Sequence, residues 1–498
     1  MADSLDPVLN LAKRRGFFFQ SADIYGGAGG IFDLGPLGVE LNNNIKQLWW
    51  KRFVQQREDM VGIDAAILTI EPVLRASGHV DSFSDPLIEC NTCHIRLRAD
   101  HYLEEDSATI WLKRWQDEAA KQRGTSSKKD EQAALDAAQY FFDLSDLENP
   151  KRRTDVSFDA LVCPNPECRK QTYGEPRQFN MMFKTNLGAV ETDGSVAYLR
   201  PETAQGIFTN FKNVLDTSRR KLPFGIAQIG KAFRNEITVG NSLFRVRELE
   251  QMEIEYFVMP GEDEKMHEMW IEEWEKFVWE DLGLRKENVR RYEHPKASLS
   301  HYSKRTVDLE YNFLFGGFGE LNGIANRTDY DLKQHQEHSG KDLTYFDEEK
   351  HERLLPYVIE PTMGVGRAFL AVLIDAYKEY PQGREGNGTE SESVLHIARH
   401  LAPIKVAVLP LMKKDGLADK AREIYADLRQ DYMCQYDESG AIGRRYRRQD
   451  EIGTPLCVTV DYQSLEDGTV TIRERDTMEQ QRIHISNLGS FIAESMRR

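Results

Sequence analysis

The chain has 498 residues, 40% of them hydrophobic, and a formal net charge of −16 from 65 Lys+Arg against 81 Asp+Glu. That length predicts two or three domains, and the charge argues against indiscriminate nucleic-acid binding, although local basic patches with Mg2+ can still make phosphate contacts. The start, MADSLDPVLNLAKRRGFFFQ, has acidic residues and no apolar run, which predicts neither a signal nor a transit peptide. No stretch has the apolar length to cross a membrane. Six cysteines in so long a chain do not suggest a secreted disulfide scaffold. Cytoplasm is the expected compartment.

The glycines of Tyr25-Gly26-Gly27-Ala28-Gly29-Gly30 and Asp33-Leu34-Gly35-Pro36-Leu37-Gly38 have no Gly-Lys-Ser/Thr after them and no strand before them. Tight loops entering a helix are expected there, not a phosphate loop. Val39, Leu41, Ile45, Leu48, Trp49 and Phe53 then recur at helical spacing, and a strand is predicted from Met60 to Ile70, ending at Glu71-Pro72. Cys90-x2-Cys93 and Cys163-x4-Cys168 offer four thiolates in two short pairs, which suits a structural zinc ribbon. Two unrelated pairs of reduced cysteines are the alternative, with His94 and His101 as spare ligands. The segment between them, roughly 104–148, predicts charged surface helices, whose Lys113-Arg114 and Lys128-Lys129 suit either solvent or RNA.

Phe179-Asn180-Met181-Met182-Phe183 reads as core packing. In Leu199-Arg200-Pro201-Glu202-Thr203-Ala204-Gln205-Gly206 the proline precedes a helix and Glu202 complements its dipole. The stretch Phe233 to Phe257 reads as two strands joined by a turn at Thr238–Ser242. Alternation puts Met252, Ile254, Tyr256 and Val258 on one face, and Arg245, Arg247, Leu249, Gln251, Glu253 and Glu255 on the other. The second face suits an anionic ligand near its arginines and an ammonium near Glu253, or else a solvated salt-bridge surface. Glu262 to Leu282 is an acidic, tryptophan-bearing helix, expected as a covering layer. Glu320-Leu321-Asn322-Gly323-Ile324-Ala325-Asn326-Arg327 leads to Asp329 and Asp331, either of which could pair with Arg327. Ile359-Glu360-Pro361-Thr362-Met363-Gly364-Val365-Gly366-Arg367 runs from strand through glycines into an apolar helix. After an exposed loop at residues 381–388, strands at Val406–Leu409, Leu456–Val460 and Thr469–Arg473 alternate with helices at Leu417–Leu428 and Leu488–Met496, an α/β pattern. The basic run Arg444-Arg445-Tyr446-Arg447-Arg448 is open to RNA contact or to internal pairing with Asp450-Glu451.

In this order the motifs resemble those of class II aminoacyl-tRNA synthetases, in the version found in homodimeric glycyl-tRNA synthetases. The resemblance spans nearly the whole chain outside the charged segment. Helix 39–53 with the following strand and Pro72 resembles motif 1, the dimer-forming element; Phe233 to Phe257 resembles motif 2; and Glu360 to Arg367 resembles motif 3. The implied fold is α+β: an antiparallel sheet with helices, a small cysteine-bearing insertion, and a C-terminal α/β anticodon-binding domain. The implied division is 1–89 (catalytic, with motif 1), 90–178 (insertion), 179–390 (catalytic, with motifs 2 and 3) and 400–498 (anticodon binding).

The implied reaction activates glycine with ATP to glycyl-adenylate and transfers it to the 3′ end of tRNA(Gly). Arg234 would meet the α-phosphate, Arg245 and Arg367 the outer phosphates and the adenine face, and Glu236 the adenine amino group. Glu320 and Glu360 would hold Mg2+. Asn235, Phe244, Val246, Arg247, Glu248, Leu249, Leu321, Gly364, Val365 and Gly366 would complete the ATP site. Glu202, Glu253, Glu360 and Thr362 would hold glycine's ammonium and crowd its α-carbon. Arg98 and Arg327 would contact the substrate, with Leu249, Glu250, Gln251, Met252, Pro361, Met363 and Gly364 around it. Two positions depart from the family pattern: Leu249 where phenylalanine is usual, and Thr362 where serine is common. Accessory subunits of a mitochondrial DNA polymerase share the resemblance without the chemistry. The presence here of Arg234, Glu236, Arg247, Glu253, Glu360 and Arg367 favours the enzyme. The 320–332 stretch favours glycine over proline, threonine, serine or histidine.

Overall fold

The computed structural model describes residues 4–98, 163, 165, 167–168, 177–189, 195–296, 299–300, 302–384 and 391–496. The predicted charged helices at 104–148, with His101, Lys113, Arg114, Lys128 and Lys129, lie outside the described residues, as does the side chain of Arg98. The chain forms two compact units, one of Met1–Ala66, Glu202–Ala232 and Asn241–Arg498, the other of Ile67–Pro201 and Phe233–Gly240.

The first unit is built on a seven-stranded sheet of β1 (Met60–Gly62), β2 (Phe224–Phe233), β3 (Glu248–Val258), β4 (Val289–Glu293), β5 (Arg305–Asn312), β6 (Phe318–Thr328) and β7 (Tyr357–Gly364). Their order is β4-β5-β6-β7-β3-β2-β1; β4 to β3 pair antiparallel, and β1 joins β2 in parallel. As the alternation predicts, Met252, Ile254, Tyr256 and Val258 of β3 enter the main core. There they meet apolar residues of α1 (Pro36–Trp50), α3 (Asp263–Lys276) and α5 (Val365–Ala376). Trp270 and Trp274 of α3 are fully buried, so this helix is part of the core as well as its cover. The opposite face of β3 is covered too: Phe257 packs with Phe211 of α2 (Ala204–Ser218) and Phe224. The solvated salt-bridge alternative for that face therefore does not hold, because Gln251, Glu253 and Glu255 are all buried.

Two predicted strands are shorter than their alternation suggests. The run from Met60 to Ile70 splits into β1 and a separate strand, Leu68–Ile70, and Pro72 opens the helix Glu71–Ala76 where it was expected to close a strand. A proline costs little there, since the first turn of a helix leaves its N–H groups unpaired anyway. Motif 2 is not a tight hairpin: β2 stops at Phe233 and β3 starts at Glu248. Asn241 and Ser242 are left-handed, with φ of 55° and 58°, and the backbone N–H of Arg247 bonds to the Gly30 carbonyl. Arg245 and Arg247 thus sit on the loop before β3, outside its alternation.

In the second unit, strands Leu68–Ile70, Val196–Leu199 and Phe183–Asn186 form one small sheet, and Arg96–Arg98, Ser84–Glu89 and Arg177–Asn180 another. Met182 packs with Leu74 and Tyr198, as its apolar neighbourhood predicts.

The C-terminal sheet has the order Cys434–Tyr436, Val406–Pro410, Leu456–Val460, Thr469–Glu474, Gln480–His484, parallel across the first three and antiparallel thereafter. The helix Leu417–Leu428 and the strand Leu456–Val460 fall where predicted. The helix Ile442–Ile452 carries the basic run, and internal pairing takes most of it. Buried Arg445 donates to the carbonyls of Pro410, Leu411 and Asp437, Arg448 to the Asp437 carboxylate, and Arg447 pairs with Glu392. Asp450 is buried between Arg384 and Arg473. Arg444 stays exposed.

Candidate active site

The odd face of β3 carries a pocket of carboxylates. Its partner on one side is β7, paired Glu253 to Thr362 and Tyr256 to Ile359, so Glu255 stands opposite Glu360. On β6, Gly323 pairs with Thr362 and Ala325 with Glu360. Glu253 is 1% exposed, Glu255 0% and Glu360 7%, and one carboxylate oxygen of each lies within 4.8 Å of the other two. An ammonium donating at about 2.8 Å to three such oxygens would spread them about 4.6 Å apart. Glu253 and Glu360 therefore lie within the span that one amino group bridges.

Each acid is held differently. Glu253 accepts the hydroxyl of Thr203, which explains why Thr203, at the start of α2, offers no side-chain cap to that helix. Arg327 donates to Asp331 at 2.7 and 2.8 Å and to Glu360 at 2.9 Å, and its guanidinium lies 3.9 Å from the centre of the Tyr302 ring. The expected salt bridge from Arg327 thus goes to Asp331, at the start of α4 (Tyr330–Ser339), and not to Asp329. Glu202 is half-buried and accepts from Gln205 at 2.8 Å. Among the described residues neither oxygen of Glu255 has a hydrogen-bond partner. Burial, and next the charge of Glu202, push Glu253 up to about 7. Burial pushes Glu360 up to about 8 against the pull of Arg327. Burial and the facing Glu360 hold Glu255 well above the carboxylate range. Like charges in a dry site cannot all ionise.

The Mg2+ role expected of Glu320 and Glu360 together does not fit. Glu360 pairs with Ala325, five positions along β6 from Glu320, which is about 16 Å of strand. One ion with bonds of about 2 Å cannot bridge that distance. Glu320, with its side chain 47% exposed, instead pairs with Arg367 at 3.0 Å. Arg367 also donates to the Phe244 and Glu320 carbonyls and lies 4.5 Å above the Phe244 ring. Gly366 is demanded by the protein's own packing, since a Cβ there would come within 3.1 Å of the Leu243 carbonyl.

Several residues expected around the ligands have partners within the protein. Met252, Met363, Leu321 and Val365 point into the core, so only their backbones could line a site. Glu250 pairs with Asn42 and Lys46 of α1. Arg247 donates to the Gly29 carbonyl. Leu249 is half-buried. In the second unit, Arg234 donates to the Pro201 carbonyl at 3.0 Å and its guanidinium lies 5.7 Å from the Phe83 ring centre. Sequence reasoning passed over Thr203, Tyr302 and the role of Glu255. For Glu255 the signal was present, because alternation put it on the face of Glu253.

The cysteines also converge. Sγ of Cys90 is 3.8 Å from that of Cys168, and Cys93 is 3.5 Å from Cys163, with all four sulfurs within 4.8 Å of one another. A tetrahedral zinc with bonds of about 2.3 Å needs sulfurs about 3.8 Å apart. Burial pushes the Cys90 thiol up, but the backbone N–H groups of Cys93 and Thr92 outweigh it and bring it to about 6, in the thiolate range. His94 instead contacts Glu89.

An antiparallel sheet with a buried acid pocket, followed by a mixed α/β sheet, defines a class II aminoacyl-tRNA synthetase. The family model "tRNA synthetase class II core domain (G, H, P, S and T)" matches residues 184–377, and "Anticodon binding domain" matches 405–495. The glycine–tRNA ligase of Streptomyces coelicolor is 51% identical over 496 residues, covering 99% of this chain and 98% of that protein. Those of Thermobifida fusca and Bifidobacterium longum are 49% and 50% identical, over 99% of this chain and 98% and 93% of theirs. The chain belongs to the glycine–tRNA ligase family.

Proposed function

We propose that the protein activates glycine with ATP and transfers it to tRNA(Gly). The observation that carries the choice of amino acid is the buried pair Glu253 and Glu360, walled by Thr362 and braced by Arg327. The pair offers acceptors for an ammonium. Glycine's carboxylate would attack the α-phosphate, release pyrophosphate and form the mixed anhydride; the terminal ribose hydroxyl of tRNA would then take the glycyl group. Both reacting groups come from substrates, so positioning and charge stabilisation carry the rate. Arg234 is assigned to the α-phosphate, Arg245 and Arg367 to the outer phosphates and adenine, and Glu236 to the adenine amino group. Glu202 joins Glu253 and Glu360 around the ammonium, Arg327 is assigned to the substrate carboxylate or phosphate, and Arg98 is assigned to the substrate by resemblance. Mg2+ would neutralise the phosphates and would be held by Glu320, whose exposed carboxylate suits an ion that keeps most of its waters.

Zinc held by Cys90, Cys93, Cys163 and Cys168 would fix the fold of the insertion. Metal analysis should find about one zinc per chain; a folded, metal-free protein with four reactive thiols contradicts this. A homodimer is inferred from exposed apolar side chains on the motif 1 elements, Val39 in the first unit and Leu68 and Ile70 in the second. The four-part division of the chain stands as our proposal, and cytoplasm is the inferred compartment. No helix among the described residues is long and apolar enough to cross a membrane. ATP–pyrophosphate exchange with each of the twenty amino acids tests the assignment: glycine should exchange, and preference for any other contradicts it.

A further inference from the structure

Glu255 has no task in the reaction just described, yet it is the most thoroughly buried acid of the pocket. It is fully buried, has no hydrogen-bond donor on either oxygen among the described residues, and stands across the sheet from Glu360. A pair of ionised carboxylates directly opposite one another is destabilising, and a buried carboxylate without donors is more so. The other acids have donors, Thr203 for Glu253 and Arg327 for Glu360 and Asp331. Glu255 has none, so it is the member that best keeps a proton.

We propose that Glu255 works as an un-ionised carboxylic acid behind the amino-acid pocket, a positioning residue that presents an O–H where Glu360 would otherwise face a second negative charge. With this neighbour neutral, Glu360 gives up its own proton when the substrate ammonium arrives and meets it as a carboxylate. The groups acting on this acid are Glu253 on its own strand, Glu360 on β7, Arg327 on β6 and Asp331 on α4; Glu202 and Thr203, at the start of α2, act on Glu253. Arg327 is the one cation among them and Asp331 takes two of its N–H groups, so it does not neutralise Glu255. The direction of the Glu255 shift agrees with this assignment.

The inference rests on the reading of this pocket as the glycine ammonium site, and the tests separate the two. Infrared difference spectra of the full-length protein, parent minus Glu255→Gln at neutral pH, read the protonated carboxyl without any substrate. A C=O stretch of a carboxylic acid lost in the variant is expected; loss of a carboxylate band instead overturns the proposal, whatever the enzyme activates. In glycine-dependent exchange, Glu255→Gln, a neutral isostere, should keep the KM for glycine within about threefold and leave the acid limb of kcat/KM unmoved. Glu255→Leu should raise the glycine KM about tenfold or more, move that limb up by about one pH unit, and leave the KM for ATP unchanged. A tenfold loss in Glu255→Gln would mean that Glu255 acts as an anion. A Glu255→Leu protein with a lower melting temperature but an unmoved limb and KM would make it mere filling. Either result overturns the proposal.

Discussion

The guanidinium of Arg367 lies 4.5 Å from the centre of the Phe244 ring, so the start of α5 is stacked on the loop before β3. Glu320 holds the same guanidinium at 3.0 Å. The motif 3 arginine is therefore positioned from two sides before any nucleotide arrives. A cation–aromatic contact of this kind contributes about 0.5–2 kcal/mol. Phe244→Leu should raise the KM for ATP by between about twofold and about thirtyfold and leave the KM for glycine unchanged. Equal increases in both would show that Phe244 supports the fold and not Arg367.

Leu249 gives a prediction of the opposite sign. It is half-buried, unlike the core-facing Met252, and occupies the place of a family phenylalanine. If it floors the adenine site, Leu249→Phe adds stacking of about 0.5–1.5 kcal/mol. ATP should then bind up to about tenfold more tightly, with little change in the KM for glycine. A lowered melting temperature with unchanged ATP affinity would place Leu249 in the core.

These two positions also show how far the sequence was legible. The order of motifs 1, 2 and 3 and most of the C-terminal domain could be read, because each rests on runs whose alternation or helical period survives burial. The strand Leu456–Val460 and the helix Leu417–Leu428 are such runs. What could not be read depends on partners distant in sequence. Arg245 and Arg247 alternate with Leu249 as a strand would, but left-handed Asn241 and Ser242 turn the chain, and Gly30 takes the N–H of Arg247. The helix Ile442–Ile452 was hidden by its charge, since Arg445 is buried by three carbonyls and not by apolar neighbours. The pairing of Glu255 with Glu360 needs the register of two strands about a hundred residues apart.

Thr362 faces the same pocket, paired between Glu253 and Gly323, while its neighbour Met363 points into the core. Its methyl group should help exclude any substrate with a Cβ. Shortening it by Thr362→Ser should raise the kcat/KM for alanine relative to glycine by about tenfold or more, since one methyl in a pocket is worth about 1–3 kcal/mol. An unchanged ratio in pyrophosphate exchange would move the exclusion elsewhere.

The acid pocket should also cost stability at alkaline pH. Glu253 is raised to about 7 and Glu360 to about 8, from an ordinary value of 4.5. Between about pH 4.5 and 8 the folded chain holds protons that the unfolded chain has released, so stability falls as pH rises through this window. Glu360→Gln removes one of these protons from the balance. Its melting temperature should fall less than the parent's between about pH 6 and pH 8.5. A steeper fall in the variant would reverse the sign argued here.

The most direct test of the central claim is charging itself. A tRNA(Gly) transcript, ATP, Mg2+ and each of glycine, alanine and serine would be incubated with the full-length protein, and the 3′-terminal nucleoside analysed by mass. Glycine alone should be esterified there, and Glu253→Gln should abolish the product while leaving the protein folded. Charging with alanine at a comparable rate, or no glycyl ester at all, would contradict the account.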